Sequence, residues 1–287
     1  MVIYRNMRKF ILLILCVLAA AQLQAAKISN SFYFNSDFIK NDLSFAAPVT
    51  DRLSIGVDGS YLNHDIHNDD IYTFYIPASL STDLMRIVFR PFFTPKTNEL
   101  YSYGAMGHLL LTLNNNDNAN LYTQALLSIS YANQKADIEK NNVIERDNYG
   151  QVAYSLGLRQ NFYNAFLFGV TANLFQYVNG ISNVTAIRSV MDQNSLVDLK
   201  TFDIIYDLPK YSIGAMFNRM FLDRNANVYV NYNFIEYYTA DSDHSITVGN
   251  DFPIAKGWKA DIAYNHIRAT NHGSKRDIFR VGLSVLF

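Results

Sequence analysis

Eight ionisable residues recur where a strand would turn them all to one side: Asp58, Arg86, Arg90, His108, Arg159, Lys259, Asp261 and Arg280. Each lies in a stretch whose apolar residues hold the alternate positions, and a period of two sends successive side chains to opposite faces of a strand. Fixing the apolar face therefore places these eight on the other, together with Gln151, Asn161, Asn173, Asn231 and Asn233. Such a set supports two kinds of chemistry. Free cations would line a wet, mildly basic passage favouring small anions, because rings of fixed charge select ions. Alternatively, carboxylates and amides hold the cations and plug the interior, since a buried charge must be paired or hydrated. The sequence leaves both open.

Other reactive groupings are weaker. Residues 64–70 collect His64, His67 and the carboxylates Asp65, Asp69 and Asp70. These are competent ligands for a divalent cation, but a polar run between two strands reads as a solvated loop, and no metal site is expected. A hydrolase would need a histidine beside a serine or carboxylate, and His266 with Ser274, or His244 with Asp241, offers those types. Neither pair sits in a catalytic motif. No phosphate-cradling glycine loop, zinc spacing or nucleotide motif is present. The expectation is a protein with no cofactor that is not an enzyme.

The elements that would position the eight residues are strands. Leu53, Ile55, Val57, Gly59 and Tyr61 alternate with small or polar neighbours, as do Val152 to Leu158, Phe166 to Leu174, Val228 to Phe234 and Trp258 to Tyr264. Segments of about ten alternating residues separated by turns are the trace of a transmembrane barrel. Thirteen such segments run from Phe38 onward, and residues 28–35, turning at Ser36 and Asp37, make fourteen. Twelve is the alternative if residues 72–94 hold fewer crossings, because Pro77 and Pro91 each remove a ladder donor. Short turns alternate with longer polar links, which include residues 64–70, 133–148 and 179–200. Within 179–200, Val184, Ile187, Val190 and Met191 have helical spacing, which predicts a short helix outside the barrel or folded into its mouth.

Composition agrees with an exported wall. Arg5, Arg8 and Lys9 precede an apolar run over residues 10–21, followed by small residues to Ala26, which predicts a signal peptide over 1–25 and a barrel over 26–287. That run is too short to span a bilayer as a helix. The only cysteine, Cys16, falls inside it, so the mature chain must hold itself together without disulfides. Acidic and basic residues balance at 25 and 24 with no basic clustering, so no nucleic-acid partner is expected. Twenty Tyr and twenty Phe against one Trp favour strands, and aromatics concentrate at both water–lipid boundaries of membrane barrels.

The last residues alternate once more: Phe279, Val281, Leu283, Val285 and Phe287 are apolar, with Arg280, Gly282 and Ser284 between them. The ending resembles the terminal signal of Gram-negative outer-membrane proteins, with Arg280, Gly282, Val285 and Phe287 in its polar, glycine, hydrophobic and aromatic places. The resemblance implies an antiparallel β-barrel of the bacterial outer membrane, surrounded by its lipids and inserted by its assembly machinery. A narrower stretch, residues 208–214, is similar to a segment of outer-membrane fatty-acid and hydrocarbon transporters. The expected role is a channel or transporter for small solutes or hydrophobic ligands. A barrel that presents loops for adhesion or envelope interactions is the alternative.

Overall fold

A computed structural model describes residues 26–36, 38–64, 70–97, 100–116, 121–140, 143–163, 165–178, 184–186, 208–221, 226–238, 241–270 and 275–287. The signal peptide predicted over 1–25 and the loop residues 65–69 lie outside these, as does most of 179–200. In chain order the strands are β1 (Lys27–Phe34), β2 (Phe38–Pro48), β3 (Leu53–His64), β4 (Ile71–Tyr75), β5 (Ala78–Ser81), β6 (Met85–Thr94), β7 (Leu100–Asn116) and β8 (Leu121–Lys140). They continue as β9 (Val143–Phe162), β10 (Phe166–Tyr177), β11 (Val184–Ala186), β12 (Pro209–Phe221), β13 (Ala226–Tyr237), β14 (Asp243–Ala255), β15 (Trp258–Ala269) and β16 (Lys275–Leu286). All sixteen join one sheet of antiparallel neighbours. β1 pairs β16 from Lys27↔Leu286 to Phe34↔Phe279, and β8 pairs β9, so the sheet closes on itself.

Sixteen strands make fourteen crossings. β4 and β5 are two pieces of one crossing, interrupted at Ile76 and Pro77. Tyr75↔Phe92 and Ala78↔Phe89 lie on the same register against β6, as do Asp58↔Tyr75 and Ile55↔Ala78 against β3. The break lies where the two prolines come together across the ladder, because neither Pro77 nor Pro91 has an N–H to give. Neighbouring donors bridge it: Ile76 N donates to Pro91 O at 3.2 Å and Gly56 N donates to Pro77 O at 2.7 Å. The prolines thus thin the ladder without removing a crossing, and the count is fourteen. β11 is the other extra strand, a three-residue piece that pairs the far end of β8.

Two loop expectations are corrected. Residues 133–140 and 143–148 are strand and not loop: β8 and β9 stay paired from Tyr122↔Asn161 to Lys140↔Val143. The sequence hid this, because four apolar residues in sixteen, Ala136, Ile138, Val143 and Ile144, are too few to show a period of two. The helical spacing that begins at Val184 also fails over the described part, where Val184–Ala186 is extended and edge-paired; the rest of 179–200 lies outside the described residues.

Alternation sorts the side chains as expected. Phe32, Ile55, Phe89, Ile129, Leu156, Phe168, Ile213, Val230, Ile246, Ile262 and Val281 are exposed on the outside of successive strands. Inward positions on the same strands carry Ser130, Ser155, Thr171, Ser212, Asn231, Thr247 and Asn265, all buried. Soluble monomers rarely expose apolar patches beyond a few hundred Å². Here the apolar surface circles the whole sheet, while hydroxyls and amides face in.

Candidate lumen-lining site

The inward charges gather into two constellations and three smaller pairs. In the first, β3, β4 and β6 bring Asp58, Tyr75 and Arg90 together. Arg90 Nη2 lies 3.1 Å from Asp58 Oδ2, and its guanidinium lies 3.9 Å from the centre of the Tyr75 ring. Ser44 from β2 donates to Asp58 Oδ1 at 2.6 Å. Such a cation over a ring contributes about 0.5–2 kcal/mol, more when water is excluded. Tyr75 packs on Phe92, with ring centres 6.1 Å apart. Phe92 in turn lies over Gly104, its cross-strand partner on β7, where a Cβ would come within 2.7 Å of the ring.

The second constellation lies on β13, β15 and β16. Arg280 grips Asp261 with two nitrogens, Nε at 2.7 Å from Oδ1 and Nη2 at 3.0 Å from Oδ2. Tyr229 Oη donates to Asp261 Oδ2 at 3.1 Å and accepts from Arg280 Nη2. Tyr229 reaches across its partner Gly249, where a Cβ would fall 2.2 Å from the phenol. Nearby, Lys259 Nζ lies 3.9 Å from Asp251, which also accepts from Asn227 Nδ2. On β2, Lys40 meets Asp42 at 3.3 Å and stands over the Tyr33 ring, which Arg280 also approaches. Towards the long-loop end, Arg276 Nη2 meets Asp243 Oδ2 at 3.2 Å, with Tyr237 Oη beside it.

The remaining sequence-predicted residues are placed separately. His108 is half-buried on β7, its Nε2 2.9 Å from Met106 Sδ. Arg159 pairs with Gly169 across β9 and β10, its stem 3.4 Å from where a Gly169 Cβ would be. Arg86 keeps the inward parity of β6 but is exposed at the short-turn end. Gln151 donates to Tyr177 Oη at 2.8 Å, and Asn173 donates to Ser212 Oγ at 2.8 Å. Asn161 and Asn233 are fully buried and Asn231 nearly so. Sequence reading missed Ser44, Tyr75, Tyr229, Asp251, Asp243 and Arg276. Parity would have flagged Asp251, which follows Thr247 and Gly249 on the inward register of β14. The tyrosines carry no such mark, because an aromatic is equally at home on the outer face.

The two histidines considered for catalysis face outward. His266 Nδ1 and Tyr264 Oη both lie 2.7 Å from Asp277 Oδ1, and His244 Nδ1 lies 2.7 Å from Tyr232 Oη. Ser274 is outside the described residues. These groups stand at the long-loop ends of β13 to β16, among Phe234, Phe279 and Phe34. They form part of an aromatic rim. Among the described residues no group of three or more His, Cys, Asp or Glu is placed to hold a metal ion.

No family model matches the chain, and no curated protein matches it. Solved structures do. The fold is similar to that of the CymD monoaromatic hydrocarbon channel, with a TM-score of 0.57 at 8% identity over 93% of this chain and 89% of that one. It is also similar to CdiB from Acinetobacter baumannii, with a TM-score of 0.50 at 10% identity over 93% of this chain and 60% of that one. At such identities the likeness is one of fold: a closed antiparallel barrel of the outer-membrane kind.

Proposed function

We propose that the protein is an integral barrel of the bacterial outer membrane that passes small solutes through its interior. The observation that carries this reading is the sorting of side chains, apolar and exposed around the outside, hydroxyl, amide and paired charge on the inside. A sheet can lie in hydrocarbon only when every backbone donor is paired, which closure of β1 on β16 and β8 on β9 achieves. Fourteen strands at the usual spacing and tilt give a backbone diameter of about 28 Å. That exceeds the width of eight-stranded barrels, which side chains fill. The likeness to the CymD channel supports the same role in general terms.

On this reading outer-membrane lipids surround the wall, residues 1–25 direct export, and the outer-membrane assembly machinery engages β16 through Arg280, Gly282, Val285 and Phe287. No catalytic role is assigned. The test is conductance of the purified, refolded protein in planar bilayers. Discrete current steps are expected. Silence, together with binding of an envelope or surface ligand, would instead make the barrel a platform for its outer segments.

A further inference from the structure

The inward charges of the described residues follow a rule. Every inward carboxylate whose side chain is among the described ones, Asp42, Asp58, Asp243, Asp251 and Asp261, lies within 4 Å of a cation. The cations are Lys40, Arg90, Arg276, Lys259 and Arg280 in that order, so five pairs cancel at five places along the wall. All of them sit on the run of strands from β14 through β16 and β1 to β6. Facing them, β8 to β13 present amides and hydroxyls, among them Gln151, Asn173, Ser212 and Asn231. Arg159 interrupts that half, held by contacts within the fold; Arg86 and Lys27 stand exposed at the short-turn mouth.

Opposite charges 2.7–3.9 Å apart present a dipole to a solute rather than a field of one sign, and a dipole's reach falls off faster than that of a free charge. Amides and hydroxyls offer donors and acceptors with no net charge. Asn231 Oδ1 and Asn265 Nδ2 are buried without a protein partner among the described residues. Asn231 Oδ1 therefore needs a donor and Asn265 Nδ2 an acceptor, supplied by water or by something that replaces it. Resting on the channel reading, we infer that the interior is a charge-compensated track for uncharged, hydroxyl-rich solutes of the neutral-sugar class, and that the Asp–cation pairs set this neutrality.

The full-length protein in planar bilayers under a KCl gradient reports the chloride-to-potassium permeability ratio. The expected ratio lies within about twofold of unity. Asp261→Asn leaves Arg280 without its carboxylate and should raise the ratio several-fold towards chloride. Removing a whole pair, as in Asp58→Asn with Arg90→Gln, should leave it within about twofold of wild type. Proteoliposome swelling should be faster in glucose than in isosmotic sodium gluconate. A wild-type ratio beyond about fivefold in either direction, or faster swelling in gluconate, overturns the neutral track and leaves the channel standing. No current and no swelling overturns the channel and the inference together. If Asp261→Asn does not fold, Lys259→Gln serves in its place with the opposite sign: it frees Asp251 and should move the ratio towards potassium. An unmoved ratio there overturns the inference.

Discussion

The Asp58–Arg90–Tyr75 and Asp261–Arg280–Tyr229 constellations use the same three residue types and hold them differently. In the first, arginine lies flat on the tyrosine face and touches its carboxylate with one nitrogen at 3.1 Å. In the second, arginine grips the carboxylate with two nitrogens and the tyrosine acts through its hydroxyl. Ser44 supplies the carboxylate contact that Tyr229 supplies in the second. The first constellation thus depends on a ring face and the second on a phenolic oxygen. In both, an aromatic next to the arginine or its partner crosses a glycine, Phe92 over Gly104 and Tyr229 over Gly249. The comparison teaches that residue type alone does not say which part of a tyrosine matters.

The glycines should separate the two most sharply. A Cβ at Gly104 would fall 2.0 Å from the carbonyl oxygen of Tyr131, which is backbone and cannot step aside. Gly104→Ala should cost about 3 kcal/mol, at the upper end for overpacking, read as a lower urea midpoint. A Cβ at Gly249 meets only the far end of Tyr229. That ring can swing, so Gly249→Ala should cost about 2 kcal/mol, the broken hydroxyl contacts included. Equal costs would show that the clash at Gly104 is relieved by movement of the strand.

Next come the carboxylates. Asp58→Asn and Asp261→Asn each leave an arginine partly buried, 14% and 17% exposed at its side chain. Breaking a fully buried pair costs about 3–5 kcal/mol, but water in the interior screens these, so about 1–3 kcal/mol is expected for each. Asp261→Asn should be the more damaging, because it abandons a two-pronged contact. The reverse order in urea unfolding would mean that Ser44 and the Tyr75 ring hold Asp58 and Arg90 more firmly than geometry implies.

The smallest effects belong to the tyrosines and are the most telling. Tyr229→Phe removes a hydroxyl with two charged partners and should cost about 1–2 kcal/mol. Tyr75→Phe keeps the ring on which Arg90 lies and should change stability by less than about 0.5 kcal/mol. Matching values in the two variants would erase the distinction between ring and hydroxyl.

Most of the wall could be read from the chain, and the site only in part. Period-two alternation gave the strands, their faces and the fourteen crossings, because hydrocarbon outside and polar groups inside impose a strict pattern. Pro77 and Pro91 correctly marked the weak place in the ladder, yet their being diagonal neighbours, Pro77 in line with Arg90 and Pro91 with Ile76, depends on register, which no local pattern carries. For the same reason the sequence put Asp58, Arg90, Asp261 and Arg280 inside without saying which touches which: Arg280 and Asp261 are diagonal neighbours, since Asp261 is in register with Gly282. Residues 133–148 misled because Ala136, Ile138, Val143 and Ile144 are their only apolar members, too few to show a period of two. His266 was weighed with Ser274 along the chain, while its partner Asp277 is directly across the ladder.

The long hairpin of β8 and β9 has a mechanical meaning. Twenty residues in each arm extend to on the order of 65 Å, whereas a crossing needs about 9–11. Being hydrogen-bonded rung by rung to its end, this ribbon bends only as a unit and behaves as a stiff mast beside the opening. A bulky body nearing this end of the barrel would strike it before reaching the rim, while molecules a few ångströms across would slip by its foot.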